Sequence, residues 1–452
     1  MKLERIHLKN FRCFESLTVE FGKRLTVIIA ENGAGKTALL DAIAIGFGRY
    51  LTKLPGIIGR TTKDSDLRVI SGERRAPFML LSWDVITSDG ESLNWSSARR
   101  RDSSIHSAIL RRTLNEEELS VFTRGYKSID EYATRLVAAD AEQESYFLPV
   151  IAYYGTNRAI REEVQRRRGF KKKFSRFDAL AGALDPDSRF RAAFEWFNAM
   201  EDEERRQKQS KRDFDYKHPE LQVVRTAIER MLTGFENPRT ETRPLRFVID
   251  RQMPGGKKRT LRVSQLSDGY RVVLGLTMDL ARRMAEANAH TTISNSEMSP
   301  LDLPAIALID EVDLHLHPVW QQRVVTDLMQ TFKNTQFILT THSPQVLSTV
   351  KRDNIRVIGH DADGNATAEP PLAMTYGEPS GDLLYSVMNV DPQPPVPEKD
   401  DLLNLTELVD QGLYDDLGAK NLMEQLKISL GEQHPQLQRL QRSIRRQRVL
   451  KT

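Results

Sequence analysis

An apolar run that breaks into a glycine-rich turn and then into a helix leaves a chain few folds to adopt, and residues 25–43 have that form. Leu25-Thr26-Val27-Ile28-Ile29 is apolar and β-branched almost throughout, as in a central strand covered on both faces. The next eight residues, Ala30-Glu31-Asn32-Gly33-Ala34-Gly35-Lys36-Thr37, follow the pattern G-x-x-x-x-G-K-[ST], with alanine in place of the first glycine. Ala38-Leu39-Leu40-Asp41-Ala42-Ile43 then reads as a helix. In this context the backbone N–H groups from Gly33 to Lys36 can cradle a phosphate at a helix N-terminus. Lys36 can reach the terminal phosphates, and Thr37 can bind Mg²⁺. Asn32, Gly33, Ala34, Gly35, Lys36 and Thr37 are therefore the candidate ATP site. A structural glycine turn is the competing reading, and the strand before and helix after argue against it.

At 452 residues the chain exceeds the ceiling for a single hydrophobic core, so one large domain with helical additions, or two domains, is expected. The longest apolar runs, such as Ala305 to Ile309, are strand-length and fall short of the roughly 20 residues that span a bilayer, so no membrane role is expected. The opening, Met1 to His7, lacks the apolar stretch of a signal peptide, which points to the cytoplasm. One cysteine, Cys13, cannot form an intrachain disulfide or a multi-cysteine zinc site and is expected to pack as a small apolar side chain. Lys plus Arg number 66 against 62 Asp plus Glu, so the net charge of +4 says little about partners and local clusters matter more.

Along the chain, Ile6 to Phe14 and Leu17 to Phe21 alternate like antiparallel strands. Residues 50–150 mix short strands, such as Phe78 to Val85, with Arg-rich connections and one helix near Glu116 to Phe122. Leu148 to Tyr154 reads as a buried strand. Ala159 to Gly234 is helical and charged, with Phe190, Phe194 and Phe197 on one face. Leu245 to Val263 reads as a hairpin turning at Pro254-Gly255-Gly256, and Leu266 to Tyr270 opens a helix through Met284. After that, strand and helix alternate: Ala305 to Ile309, a helix from Pro318 to Phe332, then Gln336 to Thr341. Such alternation predicts an α/β fold whose mixed or parallel sheet is wrapped by helices. The expected division is a first core part with a strand-rich insertion at 1–158, a helical insertion at 159–240, a second core part at 241–390 and a helical tail at 398–452. The proline-rich joint Asp391 to Pro397 sets the tail apart as an expected assembly or partner-docking element, whose apolar face meets a partner or another subunit, with packing on the ATPase core as the alternative.

Three further elements accompany the loop. Asp310-Glu311 ends an apolar strand, where the Asp is placed to hold Mg²⁺ and the Glu to polarise the water attacking a γ-phosphate; an acidic strand end in solvent is the alternative. Leu266-Ser267-Asp268-Gly269-Tyr270 resembles the ABC signature, in which the serine and glycine at a helix start bind the γ-phosphate of a nucleotide held by another subunit. His342, at a strand end one unit later, matches the switch histidine of that class. The order of loop, signature, acidic pair and histidine makes the chain an expected ABC-type P-loop ATPase, with Glu311 and His342 catalytic and Thr37 and Asp310 at the metal.

The opening Leu8 to Phe14, the loop, the signature and Ile309-Asp310-Glu311 resemble the RecF/SMC/OLD-type ATPases. More narrowly, Ala152 to Arg158, Trp196-Phe197, Gly269-Tyr270-Arg271 and His315-Leu316-His317-Pro318 resemble the ATPase subunits of Septu-type anti-phage modules. That resemblance implies nucleotide-sandwich homodimers, higher homo-oligomers and a separate HNH-type nuclease as partner. No Q-loop glutamine is identified. A stand-alone RecF-like DNA-repair ATPase is the alternative function.

Some features invite other readings. Asp361-Ala362-Asp363 imitates the acidic pair of a Toprim nuclease, but Asp363-Gly364-Asn365 reads better as a hairpin turn. Two basic clusters could track DNA or be solvated helix faces: Arg166 to Arg168 with Lys171 to Lys173 and Arg176, and Arg439, Arg442, Arg445, Arg446 and Arg448. His315 and His317 read as a loop at the subunit interface rather than a metal site.

Overall fold

The computed structural model describes residues 1–72, 74–102, 114–158, 174–187, 190–289 and 298–451, less the side chains of residues 117 and 451. Arg166 to Arg168 and Lys171 to Lys173 lie outside the described residues. The chain separates into two compact units, Met1–Leu383 and Leu384–Thr452.

The first unit begins with β1 (Lys2–Phe11) and β2 (Phe14–Glu20), an antiparallel hairpin closed by the pair Phe11 and Phe14. β3 (Leu25–Ile29) is buried at every position and leads through the glycine loop into α1 (Lys36–Thr52). β4 (Val69–Ser71) and β5 (Arg74–Arg75) form a small ribbon. β6 (Phe78–Ile86) and β7 (Ser92–Arg100) complete a four-stranded antiparallel sheet, β2-β1-β6-β7. Two tryptophans of this sheet carry α1. Trp83 Nε1 donates to Ala42 O at 3.2 Å and Trp95 Nε1 to Gly46 O at 3.1 Å, with the indoles stacked 5.9 Å apart. Position 46 takes glycine because a Cβ there would lie 2.3 Å from the Trp83 ring.

Where one helix was expected near residue 116 there are two, α2 (Glu116–Arg124) and α3 (Lys127–Ala141). Asn115 caps the first through Glu118 N, and Gly125 at φ 63° ends it. β8 (Val150–Tyr154) follows. In α4 (Phe190–Lys211), Phe190, Phe194 and Phe197 are buried as their spacing predicts. Beyond α5 (Pro219–Met231), β9 (Phe235–Thr242), β10 (Leu245–Gln252) and β11 (Lys258–Arg262) make an antiparallel sheet in the order β11-β10-β9. Phe247 of β10 packs edge-on to Phe197 at 5.4 Å, joining this sheet to α4.

α6 (Asp268–Ala287) is buried from Val272 to its end. β12 (Ala305–Ile309) precedes the acidic pair. The single helix expected over 318–332 is broken into α7 (Pro318–Gln321) and α8 (Val324–Thr331). At the break the Arg323 backbone leaves the helical region, and its side chain reaches Thr233 Oγ1 at 2.8 Å. β13 (Thr335–Thr340), the short α9 (Pro344–Leu347), β14 (Ile355–His360) and β15 (Ala366–Glu369) complete the unit. The central sheet runs β15-β14-β3-β13-β12-β8, parallel except for β15 at its edge. β3, β13, β12 and β8 are buried along their whole length, as strands covered on both faces must be. This is the expected α/β class, and it brings the carboxyl ends of β3, β12, β13 and β8 to one edge, where ligands of such sheets bind.

Asp361 occupies the β14–β15 turn, accepting from Asp363 N at 3.0 Å and Asn365 N at 2.8 Å, as the hairpin reading requires. The expectation for Cys13 fails. It is exposed, because it sits in the tight β1–β2 turn rather than on the buried face of either strand.

In the second unit, α10 (Lys399–Asp410), α11 (Leu417–Leu430) and α12 (Pro435–Lys451) build a core of their own. Leu402, Leu405, Val409, Tyr414, Leu426 and Leu437 fill it. The tail thus buries much of its apolar surface on itself, an arrangement the sequence reading did not include. Among the described residues no helix is long and apolar enough to cross a membrane.

Candidate nucleotide site

The loop between β3 and α1 is shaped by two left-handed glycines, Gly33 at φ 81° and Gly35 at φ 98°. A Cβ on Gly33 would meet open space, whereas one on Gly35 would come within 2.4 Å of the Phe14 ring and 2.6 Å of Cys13 Sγ. The β1–β2 turn is therefore the floor on which the loop rests. Arg12 in that turn bonds to Asp41 of α1 at 2.6 Å and to Asp66 at 2.9 Å, and Arg60 adds a second pair to Asp41 at 2.8 Å. Such a cluster ties the opening hairpin to the first helix.

Lys36 is buried, and its ammonium donates to Ala30 O at 2.9 Å and Glu31 O at 3.0 Å. Burial pulls its pKa down while Asp310 and Glu311 push it back up. A phosphate at this candidate site would have to compete with those two carbonyls for the same cation. Thr37 Oγ1 donates to Asp310 Oδ2 at 2.8 Å, and Thr340 Oγ1, at the end of β13, donates to Asp310 Oδ1 at 2.6 Å. Glu311 N in turn donates to Thr340 Oγ1 at 2.7 Å. Hydroxyl and carboxylate side by side form a hard oxygen pair suited to Mg²⁺, which keeps its other positions for water and phosphate.

Glu311 has a left-handed backbone, φ 46°, uncommon for a side chain with no glycine freedom. Its carbonyl and that of Asp310 accept from the guanidinium of Arg158, which also reaches Gly155 O at 3.0 Å. Arg158 is 1% exposed. Burial pulls its pKa down to about 10 against the attraction of Asp310, Asp313 and Glu311, so it is a cation at neutral pH.

His342 lies two residues beyond β13 and is half-buried. The segment around it is pinned on both sides: the Thr341 hydroxyl donates to the Asp313 carboxylate, and Ser343 Oγ accepts from Val346 N at 3.2 Å to cap α9. Ser267 is the N-cap residue of α6, exposed, and makes no side-chain cap bond, so its hydroxyl is not used by its own helix. Gly269 packs so closely on the loop after the acidic pair that a Cβ would sit 2.9 Å from His315 O. Next to it the Tyr270 ring meets Phe235 at 4.9 Å and Trp320 at 5.1 Å, edge-on to both.

The structure thus brings Thr37, Asp310 and Glu311 into one bonded set beside Lys36, and places Gly269 against the segment that follows. Sequence reasoning missed Thr340 and the role of Arg158. Thr340 carried a faint signal, a hydroxyl closing an otherwise apolar strand, while Arg158 carried only its place in a recognised motif. His317 accepts from Val319 N at 3.4 Å as the N-cap of α7, and among the described residues no group of three or more His, Cys, Asp or Glu gathers to hold a metal. Of the two basic clusters, Arg176 is engaged with Ala287 O at 3.0 Å and lies 3.9 Å over the Tyr146 ring, and Arg448 pairs with Asp415 at 2.8 Å.

A family model described as "AAA domain" matches residues 5–231, just over half of the chain. A second, "AAA domain, putative AbiEii toxin, Type IV TA system", matches residues 154–348. The chain is 26% identical over 415 residues to the Retron Ec83 probable ATPase of Escherichia coli, covering 78% of this chain and 71% of that protein. It is 30% identical over 125 residues to the Septu protein PtuA of Bacillus mycoides (strain KBAB4), covering 28% of this chain and 16% of that one. Among solved structures, the SMC head domain from Thermotoga maritima superposes with a TM-score of 0.40 at 16% identity, over 82% of this chain and 100% of that one.

Proposed function

The chain belongs to the AAA-domain family of ATPases, and from that premise we propose that it binds and hydrolyses ATP with Mg²⁺ at the interface of a homodimer or higher homo-oligomer, and so regulates a separate HNH-type nuclease in anti-phage defence. The observation that carries the catalytic part is the bonded set Thr37, Asp310, Thr340 and Glu311 at the carboxyl edge of the sheet. N–H groups of the loop from Gly33 to Lys36 receive the phosphates. Lys36 exchanges its carbonyl partners for phosphate oxygens. Thr37 and Asp310 hold Mg²⁺, which supplies charge neutralisation on the phosphates. Glu311 accepts a proton from the water that attacks the γ-phosphorus, and ADP leaves with the electron pair of the broken P–O bond. His342 contacts the γ-phosphate. Ser267 and Gly269 complete the site of a second copy, a role that the unused hydroxyl of Ser267 suits.

Likeness to a Septu protein and to a retron ATPase supports the defence role and a nuclease partner. The second unit, a helical bundle with a core of its own, is the docking or assembly element. The test is twofold. Lys36→Ala is expected to abolish ATP binding, while Glu311→Gln keeps binding and stops turnover; hydrolysis unaffected by Glu311→Gln removes that glutamate from the mechanism. Purification with the products of neighbouring genes should bring down a nuclease, whereas ATP-dependent binding of gapped DNA by the chain alone would favour a stand-alone repair ATPase instead.

A further inference from the structure

We propose that Arg158 is a positioning residue for ATP hydrolysis: it clamps the main-chain carbonyls of Asp310 and Glu311 and so fixes the backbone that presents the Glu311 carboxylate. The inference rests on the reading of Glu311 as the group that activates water.

The argument starts from the backbone of Glu311. A non-glycine residue in the left-handed region persists only where its surroundings impose it, and such residues gather where geometry serves function. Here both faces of the peptide are tied. Glu311 N is held by Thr340 Oγ1 at 2.7 Å, and Glu311 O accepts from Leu314 N at 2.9 Å and from the Arg158 guanidinium. The same guanidinium reaches Asp310 O, so one planar group spans two consecutive carbonyls at the point where β12 ends.

Arg158 is itself well anchored. The β8–β12 pairing continues one step past the strands, with Asp310 N donating to Tyr154 O at 2.8 Å. Gly155, the next residue, donates to Pro186 O at 2.8 Å and packs so tightly that a Cβ would lie 2.7 Å from Pro186 Cβ. Gly155 O then returns to the guanidinium at 3.0 Å, closing a short loop on the arginine that ends it. Burial of a guanidinium is costly unless its donors are matched, and here Nη1 and Nη2 are aimed at the carbonyls of Gly155, Asp310 and Glu311. Lysine cannot replace it. A single ammonium keeps the charge but lacks the rigid fork that bridges acceptors on separate residues.

A structural arginine would also satisfy these carbonyls, so the test must separate turnover from folding. Full-length wild type, Arg158→Lys, Arg158→Met, Glu311→Gln and the double variant Arg158→Lys/Glu311→Gln are compared for thermal midpoint, ATP affinity and single-turnover hydrolysis rate at saturating Mg²⁺·ATP. Arg158→Lys should keep ATP affinity within about 3-fold and lose about 10- to 100-fold in rate, the scale of a small misplacement of a catalytic group. The double variant should be no slower than Glu311→Gln alone, because the arginine acts only through that glutamate. Arg158→Lys at the wild-type rate beside a Glu311→Gln reduced to a small residual single-turnover rate overturns the proposal and leaves the parent reading standing. A double variant slower than Glu311→Gln, parallel losses of affinity and midpoint, or misfolding of both arginine variants overturns it equally, assigning Arg158 to the fold. Wild-type turnover by Glu311→Gln removes the glutamate and the proposal together.

Discussion

The Thr37 hydroxyl donates to the Asp310 carboxylate at 2.8 Å, joining the first turn of α1 to the end of β12 across 273 residues of chain. That contact couples the glycine loop to the acidic pair, and it marks the place proposed for the metal.

Loss of either oxygen should therefore act on the metal before the nucleotide. Thr37→Ala and Asp310→Ala are each expected to raise the Mg²⁺ concentration for half-maximal hydrolysis by about 10-fold or more, in keeping with the cost of disturbing a metal's supporting ligands. Nucleotide affinity in EDTA should change little. Magnesium titrations of the ATPase rate check this, and an unchanged Mg²⁺ requirement in both variants would remove the pair from the metal site.

The two loop glycines should respond differently to alanine. Gly35→Ala meets a left-handed φ together with the Phe14 ring and Cys13 Sγ, whereas Gly33→Ala meets the φ alone. The backbone term costs about 1–2 kcal/mol at either position, and overpacking adds about 1–3 kcal/mol at Gly35. Denaturant unfolding should rank Gly35→Ala below Gly33→Ala, and ATP binding should be lost in the former. Equal stabilities would contradict the close contact with the β1–β2 turn.

A pH effect follows from α5. Burial, reinforced by Glu286, pushes the Glu220 carboxyl up to about 7 from an ordinary 4.5. The fold thus favours the protonated acid: the contribution is complete below pH 4.5 and is lost as pH rises through 7. Glu220→Gln, which stays neutral, should match wild type near pH 5 and exceed it in thermal midpoint near pH 8. Midpoints measured across that range test it, and a variant less stable at pH 8 than at pH 5 relative to wild type would reverse the sign.

Deleting residues 398–452 should leave a soluble chain that binds ATP, because the tail helices bury Leu402, Leu405, Val409, Leu426 and Leu437 among themselves. The same deletion should abolish any complex with a nuclease or any higher oligomer that depends on this unit. Size-exclusion chromatography with multi-angle light scattering reads both outcomes. Aggregation of the truncated chain, or an unchanged complex, would sink the docking role.

What the sequence alone determined was local in origin. The strand, glycine loop and helix at residues 25–43 were legible because glycine marks left-handed turns and hydrophobic period separates strand from helix. The acidic pair was legible because it closes an apolar run, and the aromatic face of α4 because its spacing matches a helix. Tertiary structure decided the rest. Arg158 meets carbonyls 152 and 153 residues away, and a main-chain acceptor has no residue identity for a pattern to reveal. Gly46 was set by the Trp83 ring of the antiparallel sheet packed on α1, and Cys13 was exposed by a turn that also supports Gly35. The tail's apolar periodicity showed that its leucines would be buried but not by what, since period reports the buried face of a helix and only packing chooses its partner.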